Sequence, residues 1–410
     1  MTLINKNYRL LLTAYFLSTV GDWLYRLAIP ILIFHLTHSA LAMSIAYALT
    51  FLPFIVVTPF GGVIADRVNR RKMMMYGDWF AAIATLCLAL QQTFLSSVIW
   101  PIYPLVFAIA ALSSVYHPAF QSFIPEIVER DSLSKANSYL TSSDNLISLL
   151  GPLASGGLIA ILGALNAIYI NAASFALSAI LITLITKRAK AAPHRGITLQ
   201  SIFIDLKEGM HYAWKNAVIK YGCFLFLCSN FAIQVFYANF IFFLVKILKL
   251  TPVHVGVAIA VSGIGAIIGS LVAPRIGKHL AKGRIIVCCT IGAGLSTLLL
   301  LLARSGVTAG LAWGVVAAFN SVIIVTYFTL RQRVVPSEYL GRTVAITRLI
   351  SYMMIPIASI FGGWVLQHHG NMQMIILLSS VVMTTGGVIA WFTPLNTQTD
   401  IESVTNESAV

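Results

Sequence analysis

Charge is scarce in this chain. Only 10% of its 410 residues are Asp, Glu, Lys or Arg, where soluble domains carry about 25%. That is too little to cover a water-facing surface. Acidic residues are scarcer still, 13 against 27 basic. Five cysteines (Cys87, Cys223, Cys228, Cys288 and Cys289) all fall inside apolar runs. They read as small buried apolar residues, which argues against a disulfide framework or a thiolate metal site. His35, His38 and His254 lie in or beside one set of polar breaks and His117 in an apolar run, so they make no ligand cluster. No metal and no cofactor is expected. The chain has no phosphate-cradling loop, which argues against ATP-driven work. It has neither a nucleophile elbow nor a zinc-protease helix, so an enzyme is not expected.

What the chain has in abundance is apolar length. Hydrophobic residues make up 58%, mostly in runs long enough to cross roughly 30 Å of hydrocarbon. Long spans separated by short polar breaks indicate helices, because a barrel would show weak ten-residue alternation. The spans fall at 10–34, 40–60, 73–95, 99–122, 137–162, 165–186, 218–247, 252–274, 284–304, 307–330, 343–367 and 371–392. This is an all-α membrane protein of about twelve transmembrane helices. Of the 27 basic residues, 23 lie in or close beside the breaks on the N-terminal side of the membrane; only Arg26, Lys246, Lys249 and Arg304 do not. Such a split places those breaks, and both termini, in the cytoplasm of a multi-pass inner-membrane protein. The net charge of +14 then reflects topology and attraction to anionic lipid, not nucleic acid. The first span carries Asp22 and Arg26 and lacks a small-residue cleavage site, so it reads as an uncleaved span.

The longest polar break divides the chain. Residues 1–186 form an N-terminal six-helix bundle, 187–217 a cytoplasmic linker, 218–395 a C-terminal six-helix bundle, and 396–410 a polar tail expected to be disordered. Within the linker Leu199, Ile202, Phe203, Leu206, Met210, Ala213 and Trp214 recur at helical spacing, which predicts an amphipathic helix on the membrane surface. The halves echo each other. Gly61 to Arg67 has its counterpart in Gly269 to Arg275, 208 positions on, and Pro152-Leu153-Ala154-Ser155 in Pro356-Ile357-Ala358-Ser359, 204 positions on. Two similar offsets point to an internal repeat. Parallel six-helix repeats are a transporter plan with the substrate site between them near the midplane.

After the second span the chain reads Gly62-Val63-Ile64-Ala65-Asp66-Arg67-Val68-Asn69-Arg70-Arg71. Gly62 permits close backbone approach. Asp66, at the membrane edge, suits the positive end of a helix. Arg67, Arg70 and Arg71 suit carboxylates or lipid phosphates. Contacts of this kind made in one conformation and broken in another would bias a two-state rocker. The segment closely resembles the loop signature of the major facilitator superfamily. Phe123-Ile124-Pro125-Glu126 before the fifth span, Arg331, Arg333 and Pro336 followed by Gly341-Arg342 before the eleventh, and Gly21-Asp22 in the first narrow the resemblance to the branch of macrolide-efflux proteins and the enterobactin exporter. The resemblance implies export of amphipathic small molecules in exchange for protons. Gly151-Pro152 with Gly156-Gly157 resembles the antiporter signature of the fifth span, but Ser155 stands where its first paired glycine is usual.

Buried charge names the site. An Asp at a membrane-helix centre costs about 2.5–3.5 kcal/mol on insertion scales, so it needs a reason to be there. Asp22 lies midway along the first span with Arg26 one turn on, at ion-pair spacing. Loss of water favours its neutral acid and Arg26 its carboxylate. Asp22 is therefore the first proton-coupling candidate. Asp144 is the second, on a face shared with Asn137, Thr141 and Ser148. Asp78, about two turns beyond Lys72, is placed nearer the headgroups and ranks below both. Arg26, Asn230, Gln234, Tyr237, Asn320 and Tyr327 are the candidates for a substrate cavity. Expected partners are a small-molecule substrate such as a macrolide or siderophore, protons and membrane lipids, for a chain acting as a monomer. An uptake permease or lipid flippase would share these features. A membrane-embedded lipid enzyme would need a nucleophile or metal cluster that the sequence does not supply.

Overall fold

The computed structural model describes residues 5–57, 69–95, 98–129, 132–186 and 199–397. Among them the regular elements are helices, with no strand. The longer ones, in chain order, are α1 (Lys6–Thr37), α2 (Ala40–Val56), α3 (Arg70–Phe94), α4 (Ile102–Ile127), α5 (Leu133–Leu162), α6 (Ala164–Thr183), α7 (Leu199–Lys215), α8 (Ala217–Tyr237), α9 (Pro252–Ile276), α10 (Lys282–Thr297), α11 (Gly306–Val334), α12 (Ser337–His369) and α13 (Met372–Trp391). Eleven helices are long and apolar enough to span a membrane, and α2, with 17 residues, is a shorter apolar helix. Together they correspond to the twelve expected spans, and the chain is a multi-pass membrane protein.

The polar breaks do more than interrupt the apolar runs. Asn5, Ser39, Asn69, Asn216 and Asn371 each accept a backbone N–H at the start of the helix that follows. Ser305 and Thr308 form a reciprocal capping box at the head of α11. Each cap satisfies one of the backbone donors that the start of a helix leaves without an intrahelical partner. The turn between α5 and α6 is the single residue Gly163, at φ +84°, where a side chain would strain the backbone.

The chain divides into two compact units: residues 1–197 with 250–260, and residues 198–249 with 261–410. The linker helix therefore goes with the second unit, and the head of α9 with the first. In the first unit Tyr8, Leu11, Met74, Phe120, Phe123 and Ile127 form a core, and the Tyr8 hydroxyl donates to the Ala136 carbonyl at 2.6 Å. In the second, the expected linker helix forms as α7 and docks on the head of α12. Tyr212 stacks on Tyr339 at 5.2 Å, Glu208 pairs with Arg342, and Ala213 is buried while Trp214 stays exposed.

Helix α3 displays the inversion expected of a membrane bundle. Tyr76, Phe80, Ile83, Leu90 and Phe94 are exposed, while Asp78 and Gln92 are 3% and 4% exposed and Thr85 is fully buried. Those three polar residues are seven apart, so one face of the helix carries them all inward. Asp78, ranked lowest of the three acids from sequence, sits on that inner face.

Candidate functional site

The site in the first unit begins with a glycine. A Cβ on Gly21 would lie 2.1 Å from the Ser174 Oγ and 2.5 Å from the Asn171 Oδ1, so only glycine lets α1 and α6 approach this closely. The contact sets the position of the next residue, Asp22. From α1, Asp22 lines a cavity of about 150 Å³ together with Tyr15, Arg26, Asp78, Tyr116 and Phe175. The structure thus brings the first-ranked acid, its expected arginine and the third-ranked acid around one cavity.

The polar contacts around this cavity are specific. Ser178 on α6 donates to the Asp78 Oδ2 at 2.6 Å. Tyr15 donates to the Asp144 Oδ1 at 2.7 Å, which ties the second-ranked acid on α5 to a residue of the cavity wall. Tyr15 stacks on Phe120 at 4.6 Å, and Phe120 on Tyr116 at 6.0 Å. Arg26 is exposed and its guanidinium lies 5.8 Å from the Trp23 ring centroid. The ion pair allowed by the spacing of Asp22 and Arg26 is not formed; the salt bridges among the described residues join Arg70 to Glu126 and Arg342 to Glu208 instead. Tyr15, Tyr116 and Ser178 were not singled out from sequence, because their roles depend on which helices pack together.

The motif residues divide between described and undescribed segments. Gly62, Asp66 and Arg67 lie outside the described residues. Arg70 pairs with Glu126, and Arg71 donates to the Ile182 carbonyl at 3.0 Å and to the Thr183 carbonyl. The head of α3 is thereby fastened to α4 and to the end of α6. On α5, a Cβ at Gly151 would meet the Trp23 ring at 2.7 Å. Pro152 and Gly156 face the part of α9 that belongs to the first unit: a Cβ on Gly156 would lie 2.5 Å from the Pro252 carbonyl oxygen, and one on Gly256 2.4 Å from that of Pro152. Gly157, in contrast, has nothing within 4 Å. The departure at Ser155 therefore leaves intact the one glycine that this packing uses.

In the second unit Asn230, Gln234 and Tyr237 are half-buried on α8, as is Asn320 on α11. Tyr237 stacks on Trp313 at 5.6 Å. Tyr327 is only 2% exposed. Its ring lies against Gly222 and 4.6 Å from Phe226, so it is part of the packing of the unit. Arg331 is buried as well, bonding Thr347 at 3.0 Å with its guanidinium 4.8 Å from the Phe328 ring centroid. Arg333 and Pro336 are exposed, and Gly341 lies in the opening turns of α12.

Comparison with known proteins gives concordant results. The family profile described as Major Facilitator Superfamily matches residues 11–358 and 223–407. The chain is 23% identical to the multidrug efflux pump Tap of Mycolicibacterium fortuitum, over 96% of this chain and 97% of that protein. It is 28% identical to macrolide efflux protein A of Streptococcus pyogenes, over 84% and 86%. Among solved structures, that of a point mutant of the nucleoside transporter NupG superposes with a TM-score of 0.78 at 11% identity, over 94% and 99% of the two chains.

Proposed function

The chain belongs to the major facilitator superfamily, and from that premise we propose that it is a proton-coupled exporter of amphipathic small molecules, a macrolide-like drug or a siderophore among them, working by alternating access. It is a transporter and not an enzyme, as its family and relatives are. Support for export comes from relatives named as a multidrug efflux pump and a macrolide efflux protein. Support for proton coupling rests on one observation, the cavity where Asp22 meets aromatic walls and Arg26. A carboxyl in such a place must be neutralised by a proton or a positive partner. Binding of one and release of the other is the exchange that an antiporter needs.

In this reading Asp22 is the principal proton carrier and Asp144 the second. Arg26, Asn230, Gln234, Tyr237 and Asn320 serve the substrate path, while Tyr327, expected there from sequence, is buried in the packing of the second unit. Gly62, Asp66, Arg67, Arg70 and Arg71 act on conformation, as do Gly151, Pro152, Arg331, Arg333, Pro336, Gly341 and Arg342. The protein sits in the cytoplasmic membrane with both termini inside.

Inside-out membrane vesicles test the reading. With an acid interior, a macrolide or a lipophilic dye accumulates in vesicles bearing the protein, and a protonophore abolishes the accumulation. Accumulation indifferent to the pH gradient would overturn proton coupling, and accumulation only in right-side-out vesicles would make the protein an importer.

A further inference from the structure

We propose that the second unit binds a small inorganic anion of chloride size, held by the Arg331 guanidinium on α11 and the Thr343 hydroxyl on α12. The proposal does not depend on what the protein transports or on what drives the transport.

Arg331 is a cation buried without a counter-charge. It is 7% exposed, and it takes part in neither of the salt bridges among the described residues. The charged side chain that acts on it is a second cation, Arg348 on α12. Its contacts are otherwise neutral. One terminal nitrogen donates to the Thr347 Oγ1 at 3.0 Å, and the Phe328 and Tyr327 ring centroids lie 4.8 and 5.7 Å from its guanidinium carbon. From α8 the neighbour is Cys223, whose thiol lies near both Tyr327 and Arg331. The Arg331 Nε is enclosed and has no hydrogen-bond partner. Thr343 stands one turn before Thr347 on the same face of α12. It is fully buried, and its hydroxyl has no partner either.

The energetics call for an anion. A guanidinium keeps its charge inside proteins. Taking it out of water carries a large penalty, which only a counter-charge with matching hydrogen bonds offsets in full. The aromatic faces offset part of it but leave the Nε–H unmet, and an enclosed donor without a partner carries a cost of its own. Two unmet donors beside a buried positive charge suit a ligand that is negative and only accepts. Chloride is such a ligand. It is spherical, accepts from N–H and O–H in any direction, and is small enough for donors this enclosed, where a large organic acid is not. Once bound, it joins α11 to α12 through the two donors, so the stability of the second unit follows the halide concentration.

The test uses the purified full-length protein in detergent, melted in sodium chloride, sodium bromide or sodium gluconate at one ionic strength. Wild type is expected to gain melting temperature saturably with chloride or bromide, relative to gluconate. Thr343→Val keeps the shape and removes one donor, so the half-saturating chloride concentration should rise about tenfold. Arg331→Met exchanges the buried cation for an apolar chain of similar length. It should abolish the halide response and melt in gluconate at or above the wild-type temperature, because no unpaired charge is left inside. Anomalous scattering from bromide-grown crystals should place the ion beside the Arg331 Nε. Equal melting of wild type in chloride and gluconate would overturn the proposal. So would a halide response that survives Arg331→Met, which puts an adventitious ion elsewhere. An Arg331 that is structural only would lower the melting of Arg331→Met alike in every salt, and this too overturns the site. If Arg331→Met does not fold, an unmoved chloride midpoint in Thr343→Val overturns it instead. No readout here involves transport, so accumulation indifferent to the pH gradient leaves this site standing, and a missing halide response leaves the export reading standing.

Discussion

At the scale of single residues, Asp22 and Tyr15 stand two helical turns apart on α1 and both line the cavity of the first unit. Asp22→Asn mimics a permanently protonated acid. It is expected to abolish accumulation driven by a pH gradient while downhill exchange of substrate persists, which counterflow in proteoliposomes measures. Because Arg26 is exposed, the substitution strands no buried cation, and the protein should remain folded. Concentrative transport by this variant would move the principal role to another acid. Tyr15→Phe removes the donor to Asp144. A hydrogen bond to a charged group contributes about 1.5–3 kcal/mol, so a lower melting temperature is expected, together with a transport pH profile displaced from that of wild type. An unaltered profile would show that Tyr15 only positions the α5 acid.

Elements explain why small residues matter here. In hydrocarbon there is no hydrophobic force between helices, so close backbone packing carries the association. The adjacent glycines of α5 separate this from helix propensity. Gly156→Ala drives a methyl against the Pro252 carbonyl, and overpacking of this kind typically costs about 1–3 kcal/mol. Gly157→Ala meets nothing and gains helix propensity of about 0.5–1 kcal/mol. Thermal melting in detergent should therefore fall for the first variant and hold or rise for the second. The reverse order would disprove the packing account of the signature. The amphipathic α7 was legible in advance from apolar residues at helical spacing. Its docking partner was not, because Tyr339 and Arg342 lie more than a hundred residues further along the chain.

For the whole molecule the testable property is topology. The sequence assigns 23 of 27 basic residues to one side, from which both ends are expected in the cytoplasm. Single cysteines at Thr2 or Thr397, in a background lacking the native five, should be protected from a membrane-impermeant thiol reagent in intact cells and become reactive once the membrane is opened. Labelling of Thr397→Cys from outside would reverse the assignment. The twelve-span plan follows from hydropathy alone, even though α2 falls short of the length of the other spans.

Sequence by itself determined the helices, their approximate ends, the membrane and the family, because apolar run length and short motifs are local and basic loops count by sum. It also marked Asp22, since a charge inside an apolar run is conspicuous wherever the helix turns. Only tertiary structure decided which acids meet. Asp78 was ranked low for its short distance from Lys72, and only packing shows that it faces inward and lines the cavity with Asp22, although its seven-residue spacing to Thr85 and Gln92 marks that face. Tyr15 and Asp144 are 129 residues apart and become partners only when α1 packs against α5. A side chain's partner is a property of packing between helices, and no periodicity within one helix specifies what stands opposite it.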